Sequence, residues 1–209
     1  MILVSYTACG QYKINQVLKK QLDSVMVLDQ KYRDTLMQLM NPQKADSTAK
    51  SFSFDVGQAN THYWKLQNRL DSLNVVFIES VFKKYGYPGK TLVDTPANEA
   101  AWYIIQHSHK IHQYIAIMKK AADEKELPFH LYAMMLDRDL MNRGKEQIYG
   151  TQVACQKFKN IGNQCIVWPI KDPDKVNRRR RMAGFPSTVE QNATRLGVAY
   201  RVIKLSDIE

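Results

Sequence analysis

The most apolar stretch of the chain ends in two side chains that could do chemistry. Residues 100–105 are all apolar or aromatic, and Gln106 and His107 follow them directly. A helix without a polar face should be buried on nearly all sides, so it should hold this amide and imidazole inside the protein. An imidazole can act as an acid, a base or a ligand near neutral pH. The alternative is a core histidine that makes a single structural hydrogen bond.

Two adjacent charges, Asp137 and Arg138, interrupt a second predicted helix that is otherwise rich in methionine and leucine. Neighbouring residues on a helix point about 100° apart, so these two cannot readily pair with each other, and an unpaired buried ion is costly. Asp137 therefore needs a cation, for which Arg33 or a protonated His107 is available. Arg138 needs an anion or carbonyl groups, and either Asp29 or a ligand could supply them. Asp29 also lies four residues before Arg33 and could pair with Arg33 instead. A ligand site and a buried salt-bridge network are both open at this point.

The segment from Gln147 to Gln152 is dense in hydrogen-bonding groups around a glycine. Gly150 would let the backbone approach another group closely, and Tyr149 and Thr151 offer directional donors and acceptors. Structural loops rarely need so many such groups at once. The segment therefore favours contact with a polar ligand.

Signatures of metal and cofactor sites are weak or missing. His109 and His112 would lie on neighbouring faces of a helix, but no carboxylate accompanies them. The His-Glu-x-x-His pattern of zinc hydrolases is absent, as are a glycine-rich phosphate loop, a Gly-x-Ser-x-Gly elbow and a Cys-x-x-Cys pair. We therefore expect neither a metal nor a cofactor.

The charge of the chain permits an anionic partner without pointing to nucleic acid. The 209 residues carry a formal net charge of +10, spread over lysine pairs and the run from Arg178 to Arg181. Four successive arginines on a helix point in all directions, and no aromatic residues lie between them for base stacking. Nucleic acid is therefore disfavoured, and no segment approaches the roughly 20 apolar residues that span a bilayer.

Residues 1–11 resemble the end of a bacterial lipoprotein signal, in which a short apolar run and small residues precede Cys9. A basic N-terminal region is missing and the apolar run is short, so a disordered N-terminus with an incidental cysteine is the alternative. The first interpretation predicts lipidation of Cys9 and a place in the cell envelope, where only that anchor contacts the membrane. The second is compatible with the cytoplasm.

The other two cysteines, Cys155 and Cys165, flank a predicted hairpin turn at residues 160–163, because asparagine and glycine tolerate positive φ. The turn would place them near each other on facing strands. A disulfide between them would suit the envelope, whereas two free thiols would suit a reducing cytoplasm.

Apolar periodicity predicts one mainly α-helical domain over residues 12–209, with several helices and a small β-hairpin near the C-terminus. Helices are expected at 14–40, 62–85, 111–122, 129–142 and 187–196, with another from Thr95 through His107 and one after Asp172 that carries the four arginines. Thr95 should cap its helix, with Pro96 as the first helical residue. Residues 43–59 should be an exposed connection, and residues 198–205 an edge strand or a tail.

Taken together, these features resemble a bacterial family, domain of unknown function 6624. The likeness covers roughly residues 25–193 and rests on the order and spacing of Asp29-Gln30 with Arg33, Asp71 with Asn74, Gly86-Tyr87-Pro88, Ala100 to His107, Asp137-Arg138, Gln147 to Gln152, and Arg180 or Arg181 ahead of Gly184-Phe185. The resemblance implies a mostly helical protein, in some members with a signal peptide or lipoprotein anchor, and it brings no established reaction. Where the family usually has an acidic residue soon after the histidine, this chain has Ser108-His109-Lys110. That departure puts in doubt whether a carboxylate from this position orients the imidazole.

We expect one polar pocket, formed by Arg33, Gln106, His107, Asp137, Arg138, Gln147, Tyr149 and Gln152. The leading hypothesis is an envelope-associated protein that binds a small polar, preferably anionic, ligand in this pocket. The rival is a hydrolase or transferase in which His107 is the general base and Asp137 orients it. The third is a structural or partner-binding protein whose buried polar network joins its helices.

Overall fold

The computed structural model describes residues 13–159 and 162–208, and it confirms a mainly helical fold with a two-stranded hairpin near the C-terminus. The helices of the first half are α1 (Gln16–Gln30), α2 (Arg33–Met40), α3 (Ala45–Ser51) and α4 (Val56–Tyr85). They are followed by α5 (Lys90–Val93), α6 (Ala100–Gln106), α7 (Ile111–Asp123) and α8 (Phe129–Asn142). The hairpin consists of β1 (Val153–Phe158) and β2 (Gly162–Val167), and α9 (Val176–Met182) and α10 (Val189–Arg195) come last. The predicted lipidation site, Cys9, lies outside the described residues.

The main core lies where α1, α4, α6, α7 and α8 meet. Its centre is α6, in which Ala100, Ala101 and Ile105 have no exposed surface. Trp102 is also buried and donates a hydrogen bond from Nε1 to the carbonyl oxygen of Leu131, which anchors α6 to α8. The prediction that this helix is buried on nearly all sides is therefore confirmed.

The prediction of a single helix over residues 14–40 is wrong, because the chain breaks between α1 and α2. Tyr32 leaves the helical path at φ −112° and ψ −6°, and its amide donates a hydrogen bond to Oε1 of Gln67 on α4. Apolar residues keep helical spacing across the break, so periodicity did not reveal it. Because the break lies between Asp29 and Arg33, it sets these two side chains at the meeting point of three helices.

Two further boundaries differ from the prediction. The expected connection at residues 43–59 contains α3 and the start of α4, whose first turn is closed by a reciprocal capping box between Asp55 and Gln58. Thr95 does not cap a helix that starts at Pro96. Its amide bonds to the carboxylate of Asp94, the Thr95–Pro96 peptide is cis, and a turn of 3-10 helix (Ala97–Glu99) precedes α6.

A smaller apolar cluster holds the C-terminal part of the chain together, formed by Val167, Ile170, Val176, Val189 and Ala193. In the hairpin Cys155 lies directly opposite Cys165, and the two form a disulfide, the first of the two alternatives left open by the sequence. Residues 198–204 form no strand and run as a tail. Within the described residues, no helix is both long and apolar enough to cross a membrane.

Candidate functional site

Asp29 and His107 form a hydrogen-bonded pair where α1 and α6 end. Asp29 lies on the same buried side of α1 as Leu22 and Val25, and it is only 1% exposed. His107 directly follows α6, and its Nδ1 lies 3.1 Å from Oδ1 of Asp29. Because an ionised carboxylate can only accept, Nδ1 carries the proton and donates it to Asp29. In the neutral ring, Nε2 is then the unprotonated nitrogen and can accept a hydrogen bond or a proton.

Arg33 and Gln67 connect this pair to α4. Arg33 Nη2 lies 3.2 Å from Oδ1 of Asp29 and 2.7 Å from Oδ1 of Asp71, so the predicted Asp29–Arg33 pair is confirmed and extended. Gln67 has no exposed surface, and its Nε2 donates to Asp71 Oδ1 at 2.7 Å and to the Asp29 carbonyl oxygen at 3.0 Å. These five residues are called the Asp29 cluster below. The ends of α1 and α6, the start of α2 and one face of α4 meet in it.

The Asp29 cluster keeps its central carboxylate ionised. Burial raises the pKa of Asp29, but hydrogen bonds and positive charge from His107 and Arg33 outweigh it, so the pKa is lowered overall. The cluster holds two carboxylates against one guanidinium, so with a neutral imidazole its formal charge is negative. This charge disfavours an anionic ligand in contact with the cluster.

His107 borders two open grooves. The first, called the aromatic groove, has a volume of about 370 Å³, and its walls include Gln30, Arg33, Met37, Trp64, Tyr103 and Gln106. The second, called the polar groove, has a volume of about 490 Å³, and its walls include Asn68, Asp71, Ser72, Val76, Ser108 and Lys110. The His107 side chain is 23% exposed, and no described residue hydrogen-bonds to its Nε2. This nitrogen is therefore available to a molecule in the grooves.

Asp137 does not orient His107, which corrects the prediction. Its carboxylate is completely buried and accepts hydrogen bonds from the backbone amides of Ile148, Tyr149 and Thr151, at 2.7 to 3.1 Å, and from the Thr151 hydroxyl at 3.0 Å. Burial raises the pKa of Asp137, and these donors offset part of the rise. Asp137 thus needs no side-chain cation, because backbone amides satisfy it. The Asp137 carboxylate stabilises the loop between α8 and β1.

The side chains of the two glutamines of this loop form hydrogen bonds within the protein. Gln147 has no exposed surface, donates from Nε2 to the carbonyl oxygens of Gln152 and Trp168, and accepts from the Gln152 amide at Oε1. Gly150 has φ +68°, and a Cβ there would lie 2.6 Å from Val189 on α10. The loop is therefore a structural joint between α8 and the C-terminal helices.

Two arginines complete this joint. Arg138 donates to the Gln106 carbonyl oxygen at 3.0 Å and to Oε1 of Gln152 at 3.2 Å, rather than to Asp29. Arg180, only 1% exposed, donates to the Tyr149 carbonyl oxygen, and its guanidinium lies 4.5 Å from the centre of the Phe185 ring. Burial lowers the pKa of both guanidinium groups. They satisfy carbonyl oxygens, so neither is a free positive charge for an anion.

The chain matches the family model of a family of unknown function, DUF6624, over residues 34–204. The chain belongs to DUF6624. This matched part of the DUF6624 chain includes Asp71, His107 and Asp137, whereas Asp29 and Arg33 come just before it. No curated protein and no solved structure gave a match to this chain. The family description states no reaction, so any functional conclusion for this DUF6624 protein depends on its geometry.

The predicted pocket of this DUF6624 chain divides into two parts. Arg33, Gln106 and His107 share the aromatic groove. Asp137, Arg138, Gln147 and Gln152 belong to the structural joint, as does the backbone of Tyr149, whose ring lies against that of Phe185. The link between the parts is the hydrogen bond from Arg138 to the carbonyl oxygen of Gln106, one residue before His107.

Three members of the Asp29 cluster were not predicted as site residues: Asp29, Gln67 and Asp71. The sequence pattern could have indicated Asp29, because a carboxylate on the otherwise apolar face of α1 must find a partner. The only available sign for Gln67 was its spacing of four residues from Asp71 on one helix face. Within the described residues, no group of three His, Cys, Asp or Glu side chains could hold a metal ion.

Proposed function

We propose that this DUF6624 protein binds a small polar ligand in the aromatic groove, with Nε2 of His107 as its central contact. The observation that carries the proposal is the 3.1 Å hydrogen bond from His107 to the buried Asp29 carboxylate. It fixes the orientation of the ring, whose Nε2 receives no hydrogen bond from a described residue, at the wall of a groove that also includes Gln30 and Gln106. Pockets of a few hundred Å³ with a few convergent polar groups are typical of small-molecule sites.

The charges revise the preference for an anionic ligand. Arg33 is bound to two carboxylates, and Arg138 is bound to a carbonyl and an amide oxygen. An anion would have to approach a cluster that is negative when His107 is neutral, or displace a carboxylate from Arg33. A polar ligand without negative charge fits these pairings better.

Acid–base catalysis is the second candidate, and the same pair of residues favours it. Asp29 here takes the role that the sequence suggested for Asp137. In such a step Nε2 of His107 would remove the proton from a water molecule or a substrate hydroxyl as its oxygen attacks, and Asp29 would stabilise the imidazolium that forms. The proton would then pass from Nε2 to the leaving group. A hydrolase or transferase of this kind needs a ligand in the same groove.

Replacing His107 with glutamine tests both candidates. A library of small neutral, cationic and anionic polar compounds is screened by the changes it causes in backbone amide NMR signals. Ligands of the groove should shift the signals of residues 30, 33, 103 and 106. His107→Gln should weaken ligand binding by about tenfold or more, because the hydrogen bond between the ligand and Nε2 of His107 is lost. If a ligand is also turned over, the rate should fall by about a hundredfold or more in the variant.

His112→Gln is the matched control. His112 also hydrogen-bonds to a buried carboxylate, with Nδ1 at 3.1 Å from Oδ1 of Asp139, but it lies outside both grooves. It should leave ligand binding unchanged. If no compound perturbs the groove signals of the folded protein, or if both variants weaken binding equally, the ligand site is wrong. If His107→Gln then also greatly lowers the free energy of unfolding in the absence of ligand, the polar network serves to join the helices.

We also propose a place in the cell envelope. The disulfide between Cys155 and Cys165 supports it, because structural disulfides persist mainly in oxidising compartments. We expect these two cysteines to resist alkylation when cells are opened in the presence of a thiol reagent, and to react only after reduction. Complete alkylation without a reductant would indicate a reducing compartment and contradict the proposal.

A further inference from the structure

The aromatic and polar grooves meet at the Asp29 cluster. His107 borders both, and the two members of the Arg33–Asp71 ion pair, 2.7 Å apart, line opposite grooves. The ion pair therefore forms the divide between the grooves, with the imidazole beside it. A ligand longer than either groove could lie across this divide and contact His107 near its middle.

The positive groups at the junction are all paired, and one carboxylate charge is in excess. Arg33 is shared by Asp29 and Asp71, and Lys110 in the polar groove is paired with Glu79 at 2.5 Å. An anionic ligand would have to compete with these pairs, and the excess carboxylate charge would repel it. The junction therefore favours a ligand without negative charge that has many hydrogen-bonding groups.

The aromatic groove offers a surface for stacking. Trp64 is 42% exposed there and Tyr103 lies in the same wall, whereas the other two tryptophans, Trp102 and Trp168, are buried. Aromatic rings combine a large apolar face with a polar edge. Such a face suits the C–H side of a sugar ring, whose hydroxyls can then reach the amide of Gln106 and the amide oxygen of Gln30. The Nε2 of Gln30 is already used, since it donates to Oδ2 of Asp29 at 2.6 Å.

The polar groove offers groups that bind hydroxyls. Asn68 supplies an amide. The hydroxyls of Ser72 and Ser108 donate to the carbonyl oxygens of Asn68 and Ile105, at 2.8 Å each, and can still accept a hydrogen bond from a ligand. The carboxylate of Asp71 uses its Oδ1 for Arg33 and Gln67. Its Oδ2 receives no hydrogen bond from a described residue. A free carboxylate oxygen accepts well from hydroxyl groups, which an uncharged polyhydroxylated chain has in number.

From this arrangement we propose that the ligand is an uncharged oligosaccharide that runs from the aromatic groove across His107 into the polar groove. The inference rests on the function proposed above, since it names the ligand class of the same site. The sugar unit over Trp64 stacks, the unit at the divide contacts Nε2 of His107, and the following unit places its hydroxyls against Asp71 and Ser72. A free monosaccharide fills only part of this path.

Calorimetric titration with neutral oligosaccharides tests the proposal. The probes are disaccharides and hexasaccharides of β-1,4-linked glucose, β-1,4-linked N-acetylglucosamine and α-1,4-linked glucose. The hexasaccharide of at least one series should bind about tenfold more tightly than its disaccharide, because only the longer chain occupies both grooves. Its binding should also shift the indole N–H signal of Trp64.

Variants in the two grooves locate the bound oligosaccharide. Trp64→Ala should weaken hexasaccharide binding by about tenfold through the lost stacking, and Asn68→Ala combined with Ser72→Ala should weaken it by about as much. Leu73→Ser is the control, because Leu73 is exposed on the same helix and lines neither groove. It should leave the affinity unchanged.

Three results would overturn the inference: no binding of any neutral oligosaccharide, equal affinity for short and long chains, or binding that is insensitive to both sets of variants. If small polar compounds still bind at His107 in any of these cases, the proposed function stands and only the ligand class is wrong. If neither kind of ligand binds to the folded protein, both proposals fail. Binding of an extended peptide in place of the sugars would assign the grooves to a protein partner.

Discussion

Replacing Asp137 with alanine is expected to lower the free energy of unfolding by about 3–5 kcal/mol, because several donors lose the acceptor they share and each costs about 1–3 kcal/mol when it is left unpaired. The carboxylate has no exposed surface and accepts from three backbone amides and one hydroxyl of the loop between α8 and β1. In the variant these donors lose their acceptor, and each buried donor left unpaired is destabilising. Urea unfolding followed by circular dichroism measures the change.

Asp137→Asn and Asp23→Ala make the experiment specific. An asparagine side chain would keep one acceptor oxygen and the shape of the carboxylate, so we expect Asp137→Asn to recover part of the loss. Asp23, a partly exposed residue of α1 without a hydrogen bond to any described residue, should change the stability by less than about 0.5 kcal/mol when it is replaced. A nearly neutral Asp137→Ala would mean that the loop does not need the carboxylate, and it would restore Asp137 as a candidate ligand contact.

Local sequence signals correctly predicted the elements whose cause is local. The buried helix α6 followed from its uninterrupted apolar composition, and the position of Cys155 near Cys165 on facing strands followed from the turn chemistry between them. The end of α4 at Tyr85 followed from Gly86, which leaves the helix at φ +71°. In each case the residues that determine the structure are neighbours in the chain.

The errors have a common physical origin in contacts between distant residues. The break at Tyr32 is accompanied by a hydrogen bond to Gln67, thirty-five residues away. Asp137 was expected to need a side-chain cation, but backbone amides satisfy it, and a backbone donor leaves no mark in the sequence. The partner of His107 was sought downstream, whereas Asp29 comes from a helix seventy-eight residues earlier. The residue types identified the polar groups, and only the fold could assign their partners.

The two polar networks of this protein differ in how completely they are satisfied. In the structural joint, all hydrogen-bonding atoms of Gln147 and the Asp137 carboxylate have partners in the protein. In and beside the Asp29 cluster, Arg33 Nε and Asn74 Nδ2 are buried without a partner among the described residues. Each such atom in a folded protein calls for a physical explanation. The difference supports a structural role for the first network, in which every such atom is satisfied.

Arg33→Met is expected to destabilise the protein by about 2–4 kcal/mol at neutral pH, somewhat less than for a fully buried pair because Arg33 remains 16% exposed. Methionine keeps the apolar length of the side chain, so the change removes the charge with little loss of packing. Asp29 would retain its bond to His107 and Asp71 its bond to Gln67. Both carboxylates would nevertheless lose their shared counter-charge in a buried setting.

The pH dependence distinguishes this loss of charge from a packing defect. In the parent protein the pKa of Asp29 is lowered, so its stabilising contribution is present above the unfolded-state pKa of about 3.9 and is lost as the pH falls through the folded-state pKa. Without Arg33 one of the two groups that lower the pKa of Asp29 is gone, so this pKa is higher than in the parent protein. Protonation therefore removes the uncompensated charge of the variant at a higher pH. Urea unfolding should therefore show the largest deficit near pH 7 and a much smaller one near about pH 3. Arg69→Met, at an exposed position of α4, should be neutral throughout. A deficit of Arg33→Met that stays constant with pH would show that Arg33 acts through packing, and that Asp29 does not depend on it for its charge.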